Sequence, residues 1–144
     1  MMHGNAAYSR TEEGLMLTHI ILYVKDQALS ADFYAFVLDM QPSLNVPGMT
    51  EFKLSETCVL GLMPEDGIRR LLGSNLPDPA TAGGVPRAEV YMIIKDARSY
   101  HARALQKGAI ELSGLALRNW GQVVAYSLDR DGHVLAFAEL SASG

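Results

Sequence analysis

One stretch of this chain occurs twice. Thr18-His19-Ile20-Ile21-Leu22-Tyr23-Val24-Lys25-Asp26 and Ala88-Glu89-Val90-Tyr91-Met92-Ile93-Ile94-Lys95-Asp96 are both apolar runs rich in β-branched residues, and both end on Lys-Asp. Each reads as a buried strand. A helical pattern follows each of them. In the first copy Ser30, Phe33, Tyr34, Val37 and Leu38 recur at spacings of three and four, so they share one face. In the second copy the pattern carries Tyr100, Ala104 and Leu105, with Asp96 suited to the N-cap and Gly108 to the C-cap. Three strand candidates then follow each helix. They run over 42–46, 49–54 and 57–63 in the first copy, and over 109–117, 122–128 and 133–140 in the second. Pro47-Gly48, Ser55-Glu56, Asn119-Trp120-Gly121 and Arg130-Asp131-Gly132 mark the turns. The closing strands also correspond, Val59-Leu60-Gly61-Leu62 against Val134-Leu135-Ala136-Phe137. A repeated order of elements constrains the fold far more than two similar strands would. It predicts an α+β chain of two tandem βαβββ modules forming a curved mixed sheet, at 16–64 and 88–140.

Between the modules, residues 65–87 hold Pro77, Pro79, Pro86 and the Gly83-Gly84 pair, which reads as a linker with one helical turn near Ile68 to Leu72. Residues 1–15 lack periodicity and read as a tail or an arm, and 141–144 as a second tail. Hydrophobic residues make up 49% of the chain and charged ones 19%, which is a globular balance. A formal charge of -4 gives no basic footprint for nucleic acid or an anionic membrane. No apolar run is long enough to span a bilayer, and no secretory signal pattern opens the chain. The expected location is therefore cytoplasmic. The single cysteine, Cys58, lies in an apolar run and reads as a buried, inert thiol.

The residues Thr18-His19-Ile20, Val24-Lys25-Asp26 and Ser30-x-x-Phe33-Tyr34-x-x-x-Leu38 resemble the opening of the vicinal oxygen chelate superfamily, which contains glyoxalase I, bleomycin resistance proteins and extradiol dioxygenases. Trp120-Gly121 and Asp129-Arg130-Asp131-Gly132-His133 resemble its last hairpin. The resemblance implies a cup around a small molecule between the two modules, a homodimer, and a divalent metal held from four positions. Those positions, carried onto this chain, are His19, Gly61, Glu89 and Ala136. Only His19 and Glu89 carry donors. Two donors leave a divalent ion mostly hydrated, since even catalytic zinc sites keep about three protein ligands. Glu139 is a third candidate, but it differs from Ala136 by an odd number of positions, and a regular strand turns it to the other face.

His19 and Glu89 are thus the candidate catalytic and metal-ligating residues, and a structural ion pair is the competing reading for both. Tyr23 and Tyr91 share their parity and can line the cup; Arg118 and Trp120 sit near a turn, where Arg118 can meet an anionic group. The competing readings are core aromatics and a solvated charge. His3 and His101 read as surface residues. No nucleophile elbow, phosphate loop or Cys-His cluster is present. Two functional classes involve a ligand, and a third is a subunit whose function is assembly, its cup filled by its own side chains. Of the two with a ligand: one is a binding protein that takes a small organic molecule, needs no cofactor and has lost the metal site. The other is an enzyme: a metal-dependent lyase or dioxygenase with a rearranged site, or a metal-free isomerase using His19 and Glu89.

Overall fold

The computed structural model describes Gly14 and residues 16–140, so most of the expected N-terminal arm and all of the C-terminal tail lie outside the described residues. The first module runs β1 (Thr18–Val24), α1 (Gln27–Leu38), β2 (Leu44–Val46), β3 (Met49–Ser55) and β4 (Cys58–Pro64). The linker contains α2 (Glu65–Leu72) and two 3₁₀ turns, at Gly73–Asn75 and Pro79–Ala82, so it is more ordered than its prolines and glycines suggest. The second module runs β5 (Glu89–Ile93), α3 (Ala97–Gln106), β6 (Ile110–Leu117), β7 (Gln122–Leu128) and β8 (Val134–Leu140). The two four-stranded sheets have the same order, β1-β4-β3-β2 and β5-β8-β7-β6, with one parallel pair in each. The α+β architecture of two βαβββ modules is as the repeat predicts.

The repeated Lys-Asp has a direct physical reason. Asp26 accepts a hydrogen bond from Leu29 N at 3.0 Å, and Asp96 from Ser99 N at 3.1 Å, so each aspartate caps the helix that leaves its strand. Alternation along the strands then assigns two faces to each sheet. Leu22, Val24, Phe52, Leu60 and Leu62 turn toward α1, while His19, Ile21, Tyr23, Glu51 and Gly61 take the opposite, open face. In the second sheet Leu135 and Phe137 turn toward α3, and Glu89, Tyr91, Tyr126, Ala136 and Ala138 take the open face.

The helix-side faces of both sheets belong to one hydrophobic core, which includes Phe33, Tyr34, Val37, Ala97, Ala104 and Phe137. Helices α1 and α3 meet across it. Arg103 donates to Val37 O through Nε at 3.1 Å and Nη2 at 2.9 Å, and the Lys107 ammonium lies 5.0 Å from the centre of the Phe36 ring. The space between α1 and α3 is therefore packed interior. The cup expected between the modules does not form from the sheet faces of one chain: the two open faces lie on the far side of each sheet from the helices.

Two smaller expectations also change. His101 is buried, 7% exposed, with Nε2 2.8 Å from Glu111 Oε2. Ala97, His101 and Ala104 form a buried stripe at helical spacing, which the sequence already contains. Cys58 is half-buried, at the first position of β4, rather than sealed in the core.

A buried polar link joins the modules. The Tyr34 hydroxyl, on α1, donates to Asp129 Oδ2 at 2.6 Å. His133 Nδ1 lies 3.0 Å from the same oxygen, and Asp131 N and His133 N both donate to Oδ1 at 2.9 Å. Burial works to raise the Asp129 pKa, but the hydrogen bond and charge of His133 and the Tyr34 hydroxyl outweigh it, so the carboxyl titrates below its ordinary value. For His133 burial works the other way, and the bond to Asp129 and the charges of Asp129 and Asp131 raise its pKa. A lowered carboxylate pKa stabilises the fold above the ordinary carboxylate range and is lost on acidification. A raised histidine pKa stabilises below the ordinary imidazole range and is lost as pH rises. The link is thus strongest between about pH 4 and about pH 6.5. Tyr34→Phe, which deletes one hydrogen bond to a charged group, is expected to cost about 2 kcal/mol by denaturant unfolding at pH 6. His133→Ala is expected to flatten the stability profile on the alkaline side, and an unchanged profile would contradict this assignment.

Candidate functional site

On the open face of the first sheet, His19 Nδ1 lies 3.5 Å from Glu51 Oε2. Glu51 is only 6% exposed, so this carboxylate requires a partner at that depth. Register explains the meeting. Glu51 sits directly opposite Gly61 and His19 opposite Val59, two positions along β4 on the same face, so the two side chains meet diagonally across that strand. Glu51 is absent from the residues that the sequence marks, although its parity is opposite to that of core Phe52. The space over Gly61 is filled: a Cβ there would lie 3.1 Å from Ile21 Cγ1 and 3.2 Å from Met49 Sδ. Tyr23 shares this face and borders a cleft beside β1.

The open face of the second sheet has different chemistry. Tyr91 and Tyr126 pack on a floor of Val124, Ala136 and Ala138. Tyr126 stands opposite Ala136 in register, a large side chain across from a small one. The Tyr91 hydroxyl donates to Gln122 Oε1 and accepts from Trp120 Nε1 at 2.9 Å. Trp120 itself is 54% exposed. Burial, and then the charge of Glu89, raise the pKa of Tyr126, so Glu89 acts on the rim of this aromatic group. Arg118 is directed inward: Nη2 donates to Val124 O at 2.7 Å, Ser113 Oγ at 2.9 Å and Gly114 O at 3.0 Å, with the guanidinium carbon 5.2 Å from the Tyr126 ring centre. Tyr91, Trp120, Arg118 and Glu89 are thus brought to one face. Tyr126 and Gln122 belong with them and are not marked by the sequence, although Gln122, Val124 and Tyr126 alternate.

His19 pairs with Glu51, and no ion pair with Glu89 is formed among the described residues. Glu139 faces the helix: its Oε2 accepts from Ala97 N at 2.7 Å, and the register of β8 with both neighbours is unbroken. Alternation therefore holds, and Glu139 stays on the opposite face from Ala136. One cluster among the described residues has metal-compatible donors within 4.8 Å of one another, namely Asp129, Asp131 and His133. Both Asp129 oxygens already accept two hydrogen bonds each, and the His133 nitrogen that faces Asp129 is engaged with it. An ion would have to displace the contacts that close the last hairpin and hold Tyr34.

The model of the Glyoxalase/Bleomycin resistance protein/Dioxygenase superfamily matches residues 16–137. An uncharacterised protein of Mycobacterium bovis is 28% identical over 116 residues, covering 78% of this chain and 75% of that protein. A homologous uncharacterised protein of Mycobacterium tuberculosis is equally identical, over 67% of its length. Among solved structures, a glyoxalase-related enzyme from Fulvimarina pelagi superposes with a TM-score of 0.71 at 18% identity, over 86% of this chain and 87% of that one. A glyoxalase/bleomycin resistance protein/dioxygenase from Nocardioides gives 0.70 at 20% identity, over 90% and 85%. At these identities the structures speak for the fold alone, and the family match spans both modules. This chain belongs to the glyoxalase/bleomycin resistance protein/dioxygenase superfamily.

Proposed function

We propose that this protein binds a small, flat organic molecule on the open face of its second sheet, through a site that has lost the metal-holding residues of its superfamily. The observation that carries the reading is the pair Tyr91 and Tyr126 packed over the small residues Ala136 and Ala138, with Trp120 bonded to the Tyr91 hydroxyl beside them. Tyrosine rings seated on buried small residues offer a surface that suits a planar apolar ligand, and the polar tips of Tyr91 and Gln122 give it orientation. Arg118 has its Nη2 committed to carbonyl and hydroxyl acceptors, so it supports Tyr126 rather than reaching for an anion. The single tryptophan reports on the site. Titration with flat aromatic compounds is expected to quench Trp120 fluorescence saturably, and Tyr91→Ala to weaken binding by about tenfold. A confirmed ligand that binds the Tyr91 and Tyr126 variants as tightly as the parent would sink the assignment.

The metal argument rests on donors. Of the four positions that the superfamily resemblance assigns, Gly61 and Ala136 have none, and His19 is already paired with Glu51. Elemental analysis of protein purified without chelators is expected to find well below one transition metal ion per chain. Stoichiometric zinc, nickel, manganese or iron would overturn the reading in favour of a metal-dependent lyase or dioxygenase.

A second copy of this chain completes the proposed site. Ile93 (61% exposed), Leu140 (63%) and Trp120 lie on or beside the open face of the second sheet, and Ile21 and Val46 on that of the first. Apolar side chains gathered on open sheet faces ask to be covered. Pairing the first-module face of one copy with the second-module face of another would bring His19 and Glu51 to the aromatic group. Light scattering is expected to give twice the chain mass at micromolar concentration, and Ile93→Lys with Leu140→Lys to give monomers. A monomeric parent protein would refute the arrangement.

A further inference from the structure

A cleft of about 500 Å³ opens between the end of β1, the linker and the β7–β8 turn, away from the aromatic face. That volume lies within the usual range of small-ligand sites. Its charged lining comes from four separate segments: Lys25 after β1, Glu65 at the start of α2, Arg87 before β5, and Arg130, Asp131 and His133 in the turn. Both signs are present, yet among the described residues none of Lys25, Glu65, Arg87, Arg130 or Asp131 takes part in an ion pair.

Glu65 and Asp131 form no ion pair among the described residues, although the charge of Lys25 works to lower the pKa of Glu65 and those of His133 and Arg130 that of Asp131. Burial, followed by the charges of Asp131 and Asp78, raises the pKa of Glu65, and no hydrogen bond to its carboxyl is present among the described residues. Asp131 is also raised, first by burial, although Oδ1 accepts the Lys25 backbone N–H at 2.9 Å. Arg87 and Arg130 are exposed and make no hydrogen bond or ion pair among the described residues. His133 engages Asp129 through Nδ1, which leaves Nε2 as the nitrogen available to the cleft.

The walls are held in place before any ligand arrives. Asp78 accepts from Ala80 N at 3.0 Å through its side chain and from Thr81 Oγ1 at 2.7 Å through its carbonyl, and its carboxylate lies 3.5 Å from Arg69. The linker then presses on the turn: a Cβ at Gly132 would lie 2.2 Å from the Gly84 carbonyl oxygen, so only glycine permits this contact.

We propose that this cleft is a second binding site, for a small zwitterion carrying a primary ammonium group at one end and a carboxylate at the other. The ammonium binds between Glu65 and Asp131, and the carboxylate takes Arg87, Arg130 and the His133 Nε2–H. A simple anion would meet two carboxylates, and a simple cation would meet Lys25 and two arginines. Only a ligand with both charges satisfies both sets of groups. None of these charged residues lies on the second sheet, so amide shifts at the cleft and Trp120 fluorescence report the two sites separately, although Ile21 and Tyr23 of the first open face also line the cleft.

The probes are ω-amino acids of increasing length, glycine, 4-aminobutanoate and 6-aminohexanoate, with acetate and ethylammonium as single-charge controls. Each is titrated into the full-length ¹⁵N-labelled chain while the amides of Gly83, Gly84, Gly132 and His133 are followed by NMR. At least one ω-amino acid is expected to shift these amides saturably, with both controls about tenfold weaker or more. Glu65→Gln and Arg87→Gln, both at solvent-reached positions, are each expected to weaken that binding by about ten- to hundredfold while leaving the rest of the spectrum intact. Acetate binding as tightly as the amino acids, shifts that fail to saturate for every probe, or shifts confined to Tyr91 and Tyr126 would overturn the proposal.

Discussion

The carboxylate of Asp129 is the point on which the two modules are joined. It is 6% exposed, and a charge at that depth is tolerated only when its oxygens are fully occupied. Three of its donors, two backbone N–H groups and the His133 ring, come from the hairpin that closes the second module. The fourth is the hydroxyl of Tyr34, a wholly buried side chain in the middle of α1 in the first module. Apolar packing between α1 and α3 would be satisfied by several relative positions of two greasy surfaces. A directional bond between a buried hydroxyl and a buried carboxylate is satisfied by one.

That choice has a consequence for where ligands can bind. Once the helix-side faces are spent on the shared core, each sheet has only its other face to offer, beside the cleft at the end of β1. The two open faces are equivalent by the repeat but differ in substance. The first carries a half-buried imidazole with a buried carboxylate; the second carries tyrosines, a tryptophan and a floor of alanines. Apolar side chains remain exposed on both. A chain that hides its helices and shows its sheets leaves apolar faces that the proposed ligand and the proposed second copy would cover.

Much of this was legible from residues a few positions apart. The Lys-Asp ends of β1 and β5 are strand termini and helix caps at once, which is why they repeat. Alternation placed Glu139 away from Ala136, and its bond to Ala97 N is the reason a carboxylate sits there. What the sequence did not reveal depends on register and on distant pairing. Glu51, opposite Gly61, meets His19, opposite Val59, diagonally across β4, which requires the strand order β1-β4-β3. Tyr126 joins Tyr91 because both adjoin Ala136 on β8. The Tyr34–Asp129 bond spans 95 positions, and nothing local to either residue announces it. Hence the modules were readable while the side on which they join was not.

The two small residues at equivalent places show how far the halves have diverged. Gly61 and Ala136 stand at the same position of the last strand in each module, and neither can hold a metal. At Gly61 the vacancy is taken by Ile21 and Met49, so a larger residue would have to push both aside. At Ala136 the methyl group is covered by Tyr91 and Tyr126, whose rings are the very surface a planar ligand would use. One small residue serves packing and the other sets the depth of a floor. The repeat therefore fixes where each residue stands, and its neighbours across the sheet decide what it does.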